Sequence, residues 1–512
     1  MMKLELFQMY HLKEMSLSAE LFLSCSILQF TFYAISTAYQ RKTGFVILNQ
    51  QVYYIGALLM ILTLLLLLNE DLLVTNSLIS NNFIINDYLS FAAKLVICLT
   101  SLLFFIVINV SLRDDPKYNN FEYVMLITIS ILGLLLLCSS NDLITAYLAI
   151  ELQSIAFYIM AAFKKNSSYS IESGLKYFII GALSSAFFLF GSAIIYGCVG
   201  SLTFDDLRIF FSLLATDVPG SESMVDLNFV SIGFFLLCVS LLIKLSIAPF
   251  HFWSLDVYEG SPNSTTFFFA VVPKIGLFVL LIRICYVSFY QIFIDDYQIY
   301  FFMLAVLSIF VGSLGGLEQR KLKTLLAYSS VSHTGYLLLS FSTGSSEGMQ
   351  MMLYYLVIYM VSGVCFWAVY LFLRQKRQFY FNKSNKELGD LVLLRESNPM
   401  LGLILAVNLF SIAGIPPIVG FLAKVGIFLV VVKSSAYFIA LLAILLSVIS
   451  TFYYIRLIKI LYFENSLVGK LYLPISTQKS LIISILALLL IILCLDPMIV
   501  YLLFYKSTLL MS

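Results

Sequence analysis

Runs of apolar residues long enough to cross a hydrocarbon core, about 20 residues each, recur about fourteen times along this chain. In lipid every backbone polar group needs a partner within the protein, so only helices and closed barrels span. The runs are continuous and rich in Leu, Ile and Phe rather than short and alternating, which excludes a β-barrel. Composition agrees: the 512 residues are 61% hydrophobic and 11% charged, with mean hydropathy +0.98. No soluble domain of that length carries such a balance without aggregating. The expected fold is an all-α polytopic membrane protein with about fourteen transmembrane helices.

The segments fall near 17–39, 50–68, 88–112, 121–139, 141–163, 171–198, 228–250, 262–290, 298–317, 322–342, 348–374, 399–433, 435–464 and 477–505. Basic residues gather after odd-numbered segments: Arg41 and Lys42; Arg113 and Lys117; Lys164 and Lys165; Arg320, Lys321 and Lys323; Arg374, Lys376, Arg377, Lys383 and Lys386; Arg456 and Lys459. Most connections after even segments are acidic or uncharged, as at Glu70 and Asp71, Asp205 and Asp206, Asp295 and Asp296. The positive-inside rule then puts the odd-to-even loops on the matrix or cytoplasmic side and both termini opposite. The first fifteen residues lack the pattern of a secretory signal or a transit peptide, so insertion is expected to be directed by the helices themselves.

Two segments are broken by proline, the seventh at Pro249 and the twelfth at Pro416 and Pro417. They lie an odd number of segments apart, so five-helix units placed in register would cross the membrane in opposite directions, the pattern of an inverted repeat. The expected organisation is an N-terminal region over residues 1–120 with helices 1–3, a first repeat 121–290 (segments 4–8), a second repeat 291–465 (segments 9–13) and a C-terminal helix within 466–512.

Ionisable residues at membrane depth are costly and mark ion or proton paths. Lys244 and Lys424 each sit beside one of the broken stretches, where irregular backbone is tolerated only if it is buried in protein or lines a cavity. Glu151, inside segment 5, would take up a proton unless a cation compensates, and Lys244 is the natural candidate. Lys274, deep in segment 8, has apolar neighbours on both sides. Lys176 is ambiguous, since Glu172 four residues earlier satisfies it as a helical pair. His333, among Ser329, Ser330, Ser332 and Thr334, suits either proton relay or hydrogen-bonded packing. Lys94 and Arg283, nearer helix ends, read as structural residues that snorkel to the surface.

The eight cysteines are dispersed without a C-x-x-C pair and read as small buried hydrophobes; the three histidines form no ligand pair. With no nucleotide-binding glycine loop and a net charge of +2, the sequence offers no redox centre, metal site or reason to invoke nucleic acid. Energy for moving protons would have to come from a partner or a counter-moving ion.

At KLSIAPFHFWSLDVYEGSP (244–262) the chain resembles the antiporter-like membrane subunits of respiratory complex I, and among them the subunit 2 type rather than 4 or 5. The resemblance continues through NDLITAYLAIELQS (141–154), GLKYFIIGALSSAFFLFG (174–191), LLAYSSVSHTGY (325–336), NPMLGLILAVNLFSIAGIPPIVGFLAKVGIF (398–428) and STFYYIRLIKI (450–460). It implies proton translocation through Glu151, Lys176, Lys244, Lys274, His333 and Lys424, with Glu151 and Lys244 coupled, Lys274 linking the halves and Lys424 at the exit half. It also implies a mitochondrial inner-membrane location, a subunit 4-type and a 4L-type neighbour, surrounding lipid, and NADH, FMN, iron–sulfur clusters and ubiquinone on partner subunits. A cation/proton antiporter needs the same buried lysines and is the alternative.

Overall fold

The computed structural model describes residues 17–37, 52–69, 77–79, 82–112, 121–216, 227–376, 383–384, 387–392, 394–464, 471–472 and 475–509. The first fifteen residues and the loop charges Arg41, Lys42, Glu70, Asp71, Arg113, Lys117, Arg377 and Lys386 lie outside them.

Among the described residues the apolar segments are helical apart from two interruptions, as a backbone that must satisfy itself in lipid requires. Its first six segments form α1 (Ser18–Thr37), α2 (Val52–Asn69), α3 (Tyr88–Leu112), α4 (Phe121–Ser139), α5 (Leu143–Ala161) and α6 (Ser168–Val199). A shorter amphipathic helix, α7 (Phe204–Thr216), follows. Segment 7 is interrupted, α8 (Leu227–Lys244) resuming as α9 (Phe252–Gly260). Segment 8 comprises α10 (Asn263–Val271), α11 (Pro273–Ile282) and a π-helical turn from Arg283 to Ser288. Then come α12 (Gln298–Leu317), α13 (Leu322–Phe341) and α14 (Ser346–Phe372). Segment 12 is the second interrupted one, α15 (Pro399–Ala413) and α16 (Val419–Lys433); α17 (Tyr437–Tyr462), α18 (Thr477–Leu495) and α19 (Met498–Leu509) complete the order.

Among the described residues, eleven helices are long and apolar enough to cross a membrane by length and composition. The other three segments fall short for readable reasons: two are the broken ones, and α13 carries the polar set from Ser329 to Thr334. Segment-level reading missed the small elements. These are a hairpin of β1 (Ser77–Ile79) and β2 (Ile84–Asn86), a three-stranded patch of β3 (Arg374–Lys376), β4 (Lys383–Ser384) and β5 (Leu471–Tyr472), and α7.

The chain divides into two compact units, the first running to Leu245 and adding Val272–Tyr297, the second made of Ser246–Val271 with Gln298–Thr508. In the first, α6 packs on α8, α4 on α5, α2 on α3, and α11 against α3 and α4. The NDLITAYL motif is explained at the top of α5: Asp142 is the N-cap, accepting from Ile144 N, while Asn141 donates to Asp205 at 3.0 Å and so ties down α7. In the second, α12 packs closely on α13, α14 on α16, and α9 on α13. Close approach of α12 and α13 rests on small residues: a Cβ at Gly312 would meet Ser332 N at 2.6 Å.

Candidate functional site

In the first unit Glu151 stands on the α5 stripe Tyr147, Glu151, Ser154, Tyr158, whose spacing puts all four on one helical face. Its Oε1 is buried without a hydrogen-bond partner, and Oε2 lies 3.5 Å from the Ser154 hydroxyl. Lys244 is the last residue of α8, where an ammonium complements the negative helix end. Glu151 is the charge that acts on Lys244 through space, although no ion pair joins them among the described residues. A carboxylate and an ammonium coupled across a gap can each change the other's proton affinity without locking into a bridge.

Lys274 is buried at the second position of α11, behind Pro273. The span from Asn263 to Ser288 that carries it is the most enclosed of the eleven candidate membrane spans. Lys176 is placed differently. It pairs with Glu172 at 2.8 Å across one helical turn and is 43% exposed on α6.

In the second unit Lys424, on α16, reaches back across the break in segment 12. Its Nζ donates to the carbonyl of Ala413, the last residue of α15, at 2.7 Å. A helix end leaves such carbonyls without partners, and a cation is the favoured one. The reach is possible because Gly414 adopts φ +78° and has no side chain: a Cβ there would meet the Lys424 side chain at 2.7 Å. Lys424 also sits 5.2 Å over the ring of Tyr336, within cation–π range.

His333 is bonded at both ring nitrogens, Nδ1 to the Tyr355 hydroxyl at 2.6 Å and Nε2 to the Tyr454 hydroxyl at 3.2 Å. Tyr453 extends the row, 3.5 Å from Tyr454. Around it the hydroxyls of Ser329, Ser330, Ser332 and Thr334 each donate to a carbonyl of their own helix. Their lone pairs remain to accept, and Tyr454, Tyr258 and Tyr453 stand within reach of Ser329, Ser330 and Ser332. A neutral imidazole donates at one nitrogen and accepts at the other, while a phenol does either. The Tyr355–His333–Tyr454 row is therefore satisfied in both directions, and one proton passed along it reverses its polarity. The same unit explains the DVYEGSP loop: Glu259 pairs with Lys321, Ser261 O accepts from Lys323 at 2.7 Å, and Tyr258 enters the serine row.

The arrangement corrects the expectation that Lys94 and Arg283 snorkel. Both are buried, Lys94 against Glu20 and Arg283 against Asp87, because partners inside the bundle relieve them of reaching water. Five of the eight cysteines are buried as expected, while Cys25 is exposed and Cys198 and Cys494 are half-buried. The tyrosines were the functional candidates that residue-type reasoning passed over. Their signal was Tyr336 three residues after His333, and the Tyr453–Tyr454 pair within STFYYIRLIKI.

Two broken helices, one ending in a lysine acted on by Glu151 and one bridged by a buried lysine, together with a histidine bonded between two tyrosines, define an ion-translocating membrane protein of the antiporter-like class. Residues 140–450 match the family model described as NADH:quinone oxidoreductase/Mrp antiporter, TM, and the chain belongs to that family. It is 37% identical over 471 residues to NADH-ubiquinone oxidoreductase chain 2 of Marchantia polymorpha, covering 92% of this chain and 93% of that one. It is likewise 37% identical over 450 residues to NADH-quinone oxidoreductase subunit N of Pelagibacter ubique, with coverage of 87% and 89%. Among solved structures it resembles a chain of respiratory complex I from Thermus thermophilus with bound aureothin, at TM-score 0.75 and 27% identity, covering 94% of this chain and 98% of that one.

Proposed function

We propose that the chain is a proton-translocating membrane-arm subunit of respiratory complex I, coupling NADH oxidation and quinone reduction on partner subunits to proton movement through its buried residues. The observation that carries the reading is the pairing of each helix break with a buried or half-buried lysine, Lys244 ending α8 and Lys424 bridging α15 and α16. An ammonium held at an interrupted helix in lipid is costly, and residues kept there mark ion or proton paths. Protons pass from Glu151 and Lys244 by way of Lys274 to His333 and Lys424, with Lys176 a further member of the same chain of exchanging residues. The two inverted repeats are 121–290 and 291–465, with odd-to-even loops in the matrix of a mitochondrial inner membrane and both termini in the intermembrane space. The NADH, FMN, iron–sulfur and ubiquinone sites lie on partners, and subunits of the 4 and 4L types are its neighbours.

Native-gel separation of gently solubilised host membranes tests the assembly. Co-migration of this chain with a very large band that oxidises NADH is the expected result. Migration as a small assembly without that activity would make it a cation/proton antiporter instead. Within the assembled complex, Lys244→Met is expected to abolish coupled proton translocation, measured as protons moved per NADH oxidised in sealed vesicles; an unchanged ratio removes Lys244 from the path.

A further inference from the structure

A second group of buried charges lies outside the residues singled out for the pathway, in the N-terminal helices. Lys94 on α3 is 0% exposed and contacts Glu20 on α1, 4% exposed, at 2.5 Å. Arg283, at the start of the π-helical turn, is 3% exposed and contacts Asp87 at 2.8 Å; it also donates to the carbonyl of Cys138 at 3.1 Å. All four charges act on the buried Cys138 thiol at the end of α4, so they share one compartment of the first unit. Glu20, Asp87 and Lys94 also lie outside the stretch 140–450 that carries the family match.

The two pairs differ in what they can do. Asp87 is committed three ways: it receives Arg283 and Ser90 N, and its carbonyl accepts from the Ser90 hydroxyl. Arg283 does not give up a proton in a protein. That pair is a fixed fastening. Lys94 and Glu20 both exchange protons, and in a medium of low dielectric an ammonium–carboxylate contact converts to amine and carboxylic acid by moving one proton. The N–H bond breaks, the O–H bond forms, and no electrons are exchanged.

Position supports a role at one membrane face. Lys94 lies near the start of α3 and Cys138 at the end of α4, so the group sits at the end away from the basic connection holding Arg113 and Lys117. Glu20 is in the first turn of α1, which gives it the shorter route to that surface. In the other direction, α3 packs directly on α11, the helix that carries Lys274.

The geometry points to the Lys94–Glu20 pair as an additional proton-exchanging station, branching from Lys274 into α1 and α3 and opening away from the basic loops. Resting on the proton-translocation reading above, the step runs in order: Lys94 passes its proton to Glu20, Glu20 releases it to water at that face, and Lys94 is recharged from the Lys274 side.

The test uses the assembled complex in sealed vesicles, with protons moved per NADH oxidised as the readout. Lys94→Arg keeps the positive charge and the ion pair but cannot release a proton, and Glu20→Gln keeps the shape. Both are expected to assemble, to oxidise NADH in uncoupled vesicles as the parent does, and to lose a share of the proton yield. Lys244→Arg in parallel separates the two claims. Loss with Lys244→Arg but full yield with Lys94→Arg and Glu20→Gln makes the pair a structural clamp and overturns the station. Full yield from all three overturns the station together with the pathway.

Discussion

At the scale of single residues, the chemistry divides between charges that the chain announces and hydroxyls that it conceals. A lysine or glutamate in a leucine-rich segment is conspicuous because its cost in lipid is on the order of several kcal/mol. Tyrosine is common at membrane depth, and nothing in its type distinguishes Tyr355 and Tyr454 from the other phenols. Only the fold brings their hydroxyls to the two nitrogens of His333. Tyr454→Phe removes the Nε2 bond together with the hydroxyl's contacts to Tyr453 and Ser329. It is expected to cost about 1 kcal/mol of stability and to slow proton translocation while leaving assembly intact, measured by thermal denaturation and by proton uptake at matched NADH oxidation. Parent rates from both Tyr454→Phe and His333→Gln would make the row packing rather than relay. Lys176 shows the converse: its i, i+4 partner Glu172 was readable, and the structure realises that pair at 2.8 Å on an exposed face.

At the scale of elements, proline predicted where segments 7 and 12 break, because the residue lacks a backbone donor and clashes with the preceding turn. It did not predict how each break is used. In segment 7 the lysine ends the first half-helix itself, whereas in segment 12 Lys424 comes from the second half and caps the first. Gly414 makes the latter possible, and its φ of +78° favours glycine. Gly414→Ala is expected to cost about 1–2 kcal/mol through the left-handed backbone and to push Lys424 off the Ala413 carbonyl. The expected signature is a drop in proton yield resembling that of Lys424→Met, together with a lower melting temperature; a lower melting temperature with parent proton yield would show that the Ala413 contact does not serve transport. The hairpin, the small sheet and α7 escaped segment-level reading because strands of two or three residues carry no periodicity, and α7 is too polar on one face to register as a span.

At the scale of the whole molecule, alternation of charge between loops predicts an orientation that a labelling experiment reads directly. Lys165→Cys is expected to react with a membrane-impermeant thiol reagent from the side opposite to Asp206→Cys, each in a background without the exposed Cys25. Reaction of both from the same side would overturn the topology and with it the opposed repeats. The stretch Ser246–Val271, which follows the segment 7 break, clusters with the second unit while Lys244 remains in the first. No linear division of the sequence at segment boundaries would have cut the chain there.

The sequence by itself determined that this is a helical membrane protein with two interrupted helices and charged residues at depth, because hydropathy, proline and the cost of a charge in lipid act locally. It also determined the family, through motifs such as DVYEGSP and SHTGY whose residues lie close along the chain. Tertiary structure alone decided which partners those residues meet. Lys94 finds Glu20 across 74 positions and Arg283 finds Asp87 across 196, while His333 finds Tyr454 across 121. Such pairings depend on which helix faces which, and side-chain packing settles that rather than any periodicity within one helix.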